Sequence, residues 1–346
     1  MASCDGGSRG RRVTAAVLLG LTLGCGPTPA HAMTSDGQGA GTAPGTPSDH
    51  VVVLTLDGLN PRALTRLGAD ATPHLHRFLR RGASTLEART TTESTATLPN
   101  HTGMVTGRRV DAAREGHGVT WNDDRLRPAT VHQAAGERVR SLFGQVRLAG
   151  GSSVLYAGKS KFRLWTRSWR HAIESTTVRR DNDTLVDDFI ADLAQPQTLR
   201  FLHLSAPDVA GHEHGFMTRP YLRAVRRTDA RVGRIMRALT RSALWASTTV
   251  IMTSDHGGSR AGHYDPTVRA NYRILFAARG HGVEPGADLY DLNPQRAHGR
   301  SQVPYTARRQ PLRNGDVANL VLDLLGLGAV PGSQINHDQD LTLTAS

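Results

Sequence analysis

A mostly parallel β-sheet flanked by helices on both faces, in one α/β domain, is the fold class this sequence predicts, and three observations carry the prediction. Five short β-branched runs end abruptly in polar residues. Helical patterns lie between them. The runs are apolar throughout rather than alternating, as strands buried on both faces are. A chain of 346 residues, 38% apolar and 21% charged, suffices for one substantial domain of this kind and has the composition of neither a disordered nor a membrane protein.

The first segment has a different purpose. Residues 1–32 hold Arg9, Arg11 and Arg12, an apolar run from Val13 to about Gly24, and Ala30-His31-Ala32. This is the layout of a secretory signal peptide with an A-x-A cleavage site. The run is too short for a comfortable bilayer span, so the expectation is a secreted or periplasmic (cell-envelope) protein with no transmembrane span after signal removal. Arg11-Arg12 also admits a twin-arginine route, and Cys25 lipoprotein acylation, although Leu23 stands where a small residue is expected. Cys4 and Cys25 are the only cysteines. Without them the mature chain has no disulfide, no thiol nucleophile and no thiolate zinc site. Residues 33–49, rich in Gly, Ser, Thr and Pro, read as a flexible leader, and order is expected from His50 to the end, in a single domain over 50–346.

The expected strands are "HVVVLTLDG" (50–58), "SSVLYAGK" (152–159), "LRFLHLSAPD" (199–208), "TTVIMTSDHGG" (248–258) and "YRILFAARG" (272–280), each read as a buried parallel strand. Helical patterns cover 72–82, 183–195, 219–239 and 314–328. In such sheets ligands bind beyond the carboxyl ends of the strands. Asp57, Asp208, and Asp255 with His256 all follow directly on an apolar run.

The net charge is +12; residues 1–32 contribute three arginines against Asp5, leaving +10. That excess favours an anionic partner, a phosphate-bearing molecule or an acidic surface. Nucleic acid is not expected as a partner, because the arginines are scattered, aromatics make up only 5%, and no stretch interleaves basic with stacking residues.

A carboxylate at the end of a buried strand is costly unless it is paired, hydrogen-bonded or bound to metal. Alone, Asp57 in "LTLDG" reads equally well as a turn residue. In "APDVAGHEHG", Asp208 and His212 stand one helical turn apart, and "TSDHGG" sets Asp255 beside His256 with two glycines that let backbone crowd close. Three such strand ends together point to metal. Asp57, Asp208, His212, Asp255 and His256 exceed the needs of one tetrahedral zinc and fall one imidazole short of two. His263, His281, His298 and His337 are candidates for the sixth ligand, and His263 is favoured because it follows the Asp-His pair within a Gly-containing loop. Two divalent ions are expected, Zn2+ first with manganese or iron as fallbacks; a calcium site would not recruit imidazoles.

The hydroxyl-rich "TTTESTATLPNH" admits two readings: Ser and Thr capping a helix that starts near Pro99, or one hydroxyl placed at the positive end of that helix to attack an anion. With Asp57, the Thr97 of "TLPNH", Asp208-x-x-x-His212 and Asp255-His256-Gly257 in this order, the chain resembles the nucleotide pyrophosphatase/phosphodiesterase (type I phosphodiesterase) branch of the alkaline phosphatase superfamily, over most of its length. The resemblance implies an alkaline-phosphatase-like fold and a two-zinc site. One ion would be held by Asp57, Asp255 and His256 beside the nucleophile Thr97, the other by Asp208, His212 and a third histidine. It also implies that Asn122, in "EGHGVTWND", binds a non-bridging phosphate oxygen. Nucleotide-hydrolysing members take their last histidine from a Thr-His-Gly near the C-terminus. Here that region reads "AVPGSQIN", which leaves His263 for the role. The function implied is hydrolysis of phosphate diesters or nucleotide pyrophosphates through a phospho-threonine. The alternatives are a phosphomonoesterase, for which Lys159 and Lys161 in "AGKSKF" could meet an anionic end while Trp121 could instead line a diesterase slot, or a non-catalytic exported metal-binding protein.

Overall fold

The computed structural model describes residues 46–260 and 262–345. The signal segment, both cysteines and the leader up to Gly45 lie outside the described residues. Seven strands form one sheet in the order β2-β7-β6-β1-β5-β3-β4. They are β1 (His50–Leu56), β2 (Ala83–Arg89), β3 (Ser153–Ala157), β4 (Ser175–Val178), β5 (Leu199–Leu204), β6 (Thr248–Thr253) and β7 (Arg273–Gly280). The fold is α/β with a mixed, mostly parallel sheet, in which β1 lies at the centre, parallel to β5 on one side and β6 on the other.

The run at 272–280 departs from expectation: β7 is antiparallel to both β6 and β2. A parallel return needs a crossover, usually a full helix. Between β6 and β7 the chain has only the single turn Arg269–Tyr272, and it folds back over the end of the sheet instead. Neither β2 nor β4 reads as a strand from sequence. β2 carries Glu87 and a register break between Thr85 and Ala88, and β4 is a four-residue edge strand with no buried residue.

Because successive strand residues face opposite sides of a sheet, the apolar runs supply two cores at once. Val51 and Val53 of β1 join Phe201, Ile251, Phe143 and Trp165 on one face. Val52 and Leu54 join Leu202, Met252, Phe78 and Tyr221 on the other. The second face is closed by the Arg219–Arg241 helix, whose buried stripe of Tyr221, Val225, Val232, Ile235 and Leu239 has helical spacing. Its Asp229 accepts the amide of Leu75 at 2.7 Å, satisfying a donor in the first turn of the Pro73–Arg80 helix, which has no side-chain cap of its own. Packing is already established at Ser48, which is buried, donates its amide to Leu324 at 2.7 Å and shares a hydrogen bond with Thr249.

Phe201 meets Trp165 edge-on at 5.3 Å and is fully buried. Phe201→Ala is expected to cost about 3–5 kcal/mol, read in urea denaturation as a lower midpoint at unchanged slope. His117 is also fully buried and accepts the Val119 amide through Nδ1, and burial holds its imidazole down at about 3. A histidine that charges only in the unfolded chain penalises the native state once protons are available. Stability is therefore expected to be intact above about pH 6.5 and to decline as pH falls from there towards 3, in a series of urea titrations; His117→Leu should flatten that slope.

Candidate active site

β1, β5 and β6 are neighbours, and all three run in the same direction, so their carboxyl ends meet at one edge. Asp57 follows β1 directly, Asp255 lies two residues beyond β6, and Asp208 sits in the first turn of the Ala206–His214 helix that follows β5. All three side chains are buried. The approach depends on Gly58, at φ +68, where a Cβ would lie 2.8 Å from that of Asp208. The Gly58 amide donates to Asp255 Oδ1 at 3.1 Å.

Asp57 Oδ1, Asp208 Oδ1 and Asp255 Oδ2 accept no hydrogen bond although each is buried. Orphaned anionic oxygens of this kind are rare in folded proteins unless a cation completes them. The imidazoles around them are set to match. His256 Nδ1 lies 2.9 Å from the Gly257 carbonyl, and His263 Nδ1 lies 2.7 Å from that of Thr95. A carbonyl can only accept, so each ring carries its proton on Nδ1 and turns the Nε2 lone pair towards the carboxylates. His256 Nε2 is 3.2 Å from Asp255 Oδ2 and 3.4 Å from Asp57 Oδ1. His263 Nε2 is 3.0 Å from His212 Nε2 and 3.6 Å from Asp208 Oδ1, and its ring stacks on His256 at 3.7 Å. Ligand atoms of Asp57, Asp208 and His256 lie close enough together for one ion, and those of Asp208, His212 and His263 for a second. Asp208 contributes to both groups, and Asp255 adjoins the first through His256. Oxygen and imidazole nitrogen without sulfur suit zinc or a similar divalent ion.

Of the alternative histidines, none joins this cluster. His281 bonds the Ala246 and Thr46 carbonyls, His298 stacks on Tyr290, and His337 meets Ser333.

Thr97 opens the Thr97–Thr106 helix, two residues ahead of the start expected at Pro99. The cap position is Ala96, without a side-chain cap bond, and the Thr97 hydroxyl is 3.4 Å from both His256 Nε2 and Lys159 Nζ. Other hydroxyls of the run point elsewhere: Thr91 to the Ser94 carbonyl, Ser94 to the Ala96 amide, and Thr95 to the His263 carbonyl. Asn122 stands beside Thr97, its Oδ1 accepting from the Leu98 amide at 3.0 Å and from Lys161 at 2.9 Å. Trp121 is buried in the core beneath the Arg125 guanidinium.

Two residues at this edge, His203 and His101, were not read from sequence as parts of it, and a third, Lys159, was read only as a group that could meet an anionic substrate end. Lys159 reaches between the acids, 2.5 Å from Asp57 Oδ2 and 2.6 Å from Asp208 Oδ2. His203 receives the Gly158 amide on Nδ1, so its Nε2–H donates to Asp57 Oδ2 at 2.8 Å. His101 links the Thr97 carbonyl to the Thr55 hydroxyl. His203 left one sequence signal, an imidazole inside the otherwise apolar "LRFLHL". Burial opposes charge on Asp57, but Lys159, His203 and His256 outweigh it and hold its carboxyl well below the usual range. Asp255 is pushed well above that range by burial and by the Asp57 charge beside it. Burial lowers the imidazoles of His256 and, to about 3, His263, which keeps them in the neutral form that can ligate a metal.

A profile of the type I phosphodiesterase / nucleotide pyrophosphatase family matches residues 51–310. The bis(5'-adenosyl)-triphosphatase enpp4 of Mus musculus is 26% identical over 198 residues, covering 54% of this chain and 42% of that protein. The Xenopus laevis protein of the same name is 26% identical over 234 residues, covering 60% and 46%. The match thus spans less than half the length of these relatives. Among solved structures, an inactive variant of murine ectonucleotide pyrophosphatase / phosphodiesterase 5 in complex with AMP superposes with a TM-score of 0.63 at 16% identity, covering 82% of this chain and 96% of that one. A protein in the alkaline phosphatase superfamily from Vibrio parahaemolyticus gives 0.56 at 14% identity, with coverage of 85% and 70%. These structural likenesses establish the alkaline-phosphatase-like fold. Among the described residues, no helix is long and apolar enough to cross a membrane.

Among the candidate metal ligands His203 bonds only to Asp57, so its removal bears on that set through this one carboxylate. His203→Phe is expected to weaken zinc binding about 10–100-fold in competition with a chromophoric chelator, at unchanged far-UV circular dichroism.

Proposed function

The chain belongs to the type I phosphodiesterase / nucleotide pyrophosphatase family, and on that premise we propose that it is an exported, two-metal hydrolase of phosphate diesters that works through a phospho-threonine on Thr97. One observation carries the reading: a helix-opening hydroxyl faces His256 at 3.4 Å, beside three buried carboxylates that each leave one oxygen unpartnered. The segment at residues 1–32 supports export.

Asp57, Asp255, His256 and Thr97 would hold one ion, and Asp208, His212 and His263 the other. Bound divalent ions supply a lowered pKa for the threonine hydroxyl and positive charge against the reacting phosphate. The remaining chemistry belongs to the chain. Thr97 Oγ1 attacks phosphorus in line, the bond from phosphorus to the departing oxygen breaks, and the first product leaves as an alcohol or, from a pyrophosphate, as a phosphate. Water then displaces threonine from phosphorus on the same line, which restores the hydroxyl and gives net retention. The first turn of the Thr97–Thr106 helix adds favourable potential for the attacking oxygen and the phosphate. The Asn122 carboxamide has its oxygen committed to the Leu98 amide and Lys161, so its NH2 is the end left to donate to a non-bridging oxygen.

A second reading, phosphomonoester hydrolysis, is favoured by Lys159 and Lys161, two ammonium groups beside Thr97 and Asn122 that would suit a doubly charged phosphate. Hydrolysis of bis-nitrophenyl phosphate is expected to stop on chelation, to return with zinc, and to fall at least about a thousandfold in Thr97→Ala. Chelator-insensitive turnover, or a Thr97→Ala chain within tenfold of wild type, would remove the proposal. On paired nitrophenyl substrates, kcat/KM is expected to favour the diester; a tenfold preference for the monoester, about 1.4 kcal/mol of transition-state binding, would select the second reading.

A further inference from the structure

Away from the Thr97 centre, a cavity of about 290 Å³ opens among Arg109, Arg296, Tyr305, Arg313 and Asn336. Arg313 is 1% exposed, and its guanidinium bonds only to neutral oxygens: the carbonyls of Thr90 and Val303 and the side chains of Gln302 and Gln310. The carboxylates nearby are otherwise engaged. Asp316 gives one oxygen to the Arg313 backbone amide and turns the other to Arg296 at 3.4 Å; Asp340 pairs with Arg296 at 2.5 Å, and Glu93 with Arg109 at 2.6 Å. Among the described residues no carboxylate pairs with the Arg313 side chain. A buried cation without a counter-ion is costly, which argues that something anionic completes it.

Most of the unused hydrogen-bonding capacity of the lining residues is donor, Tyr305 Oη being able to donate or accept and the unpartnered Asp316 Oδ1 facing Arg296. Arg313 Nε, Arg296 Nε and Asn336 Nδ2 are buried and have no partner, and all three belong to residues at least nine-tenths buried that line this cavity. The Asn336 orientation is fixed because its Oδ1 accepts from Arg296 Nη2 at 2.9 Å, which leaves the NH2 group free. Three unpartnered donors on residues that line one space suit an acceptor with several oxygens. The Tyr305 ring has the guanidinium groups of both Arg109 and Arg313 over it, at 4.6 and 4.9 Å, and its π face stabilises both cations. The volume falls just below the range typical of sites for drug-sized ligands, about 300–1,000 Å³, and so suits a compact anion.

We propose that this cavity is a second anion site, separate from the catalytic centre, for a small oxyanion of the phosphate or phosphomonoester class, held by Arg313, Arg296 and Asn336. It borders the centre without sharing a residue with it. Asn314, next to Arg313, donates to Asn100 Oδ1 and to the Asp255 carbonyl at 3.0 and 3.1 Å. The proposal stands on cavity and donors alone and does not require the diesterase reading.

Thr306 lines the mouth and is exposed, so it can be changed without disturbing the core. Thr306→Glu sets a carboxylate against the guanidinium groups, and Thr306→Trp narrows the opening by bulk. Isothermal titration of inorganic phosphate into the full metal-loaded chain is expected to show one equivalent more in wild type than in either variant, or a Kd for that equivalent weakened at least tenfold. Melting temperatures in phosphate-free buffer and turnover of bis-nitrophenyl phosphate should stay at wild-type values in both. A parallel titration with AMP distinguishes the sources: an equivalent lost from both titrations assigns the phosphomonoester head, one lost only from the phosphate titration assigns the free anion. Phosphate and AMP isotherms that are identical in wild type, Thr306→Glu and Thr306→Trp would overturn the proposal.

Discussion

Three carboxylates placed where a parallel sheet ends repel one another, and much of the local structure of this protein answers that repulsion. Asp57, Asp208 and Asp255 come together because β1, β5 and β6 are adjacent and aligned, and Gly58 allows the contact to close. Burial at low dielectric raises the cost of each charge and the strength of every partner. The chain meets part of that cost with Lys159 between Asp57 and Asp208, with the His203 proton on Asp57, and with the amides of Gly58 and His256 on Asp255. One oxygen of each acid stays without a donor. Those oxygens and the lone pairs of His256 and His263 face each other, an arrangement that a divalent cation stabilises and that water satisfies only in part.

Orientation of the imidazoles depends on backbone rather than on side chains. The Gly257 and Thr95 carbonyls fix the His256 and His263 rings by accepting from Nδ1, and the Gly158 amide fixes His203 in the opposite tautomer by donating to it. One residue type thus has two roles within a few ångströms: with Nε2 bare it can ligate, and with Nε2 protonated it supports a carboxylate. The antiparallel return of β7 matters for the same reason. The chain between β6 and β7 passes across the carboxyl edge, carries His263 onto His256, and lets Thr95, just ahead of Thr97, bond to that loop at both its hydroxyl and its carbonyl.

The acids and most of the imidazoles of the site were legible because a polar residue directly after a β-branched run stands out at any strand end, and three runs repeat the pattern. Lys159 was visible only as a basic residue that could meet an anionic substrate end, with nothing in "AGKSKF" to say that it reaches past β5 to the acid after β1. β2 and β4 escaped notice since neither has a continuous apolar run, one carrying Glu87 and a bulge and the other lying exposed at the sheet edge. The Thr97 helix begins earlier than the Pro99 signal implied: a proline is tolerated anywhere in the first turn, where amides lack partners, and so it marks that turn without fixing its first residue.

Sequence alone determined the α/β class, the buried central strands and the candidate acids and imidazoles that follow them, because each of these comes from local hydrophobic pattern and from chemistry that is expensive to bury; Thr97 was singled out of its hydroxyl-rich run only by the family resemblance. Tertiary structure decided which of them meet. Strand order brings Asp57 between Asp208 and Asp255, the direction of β7 selects His263 over His281, His298 and His337, and crossing chains set the tautomer of each ring. Adjacency between residues so far apart in the chain is a property of sheet topology and loop closure, and no local pattern encodes it.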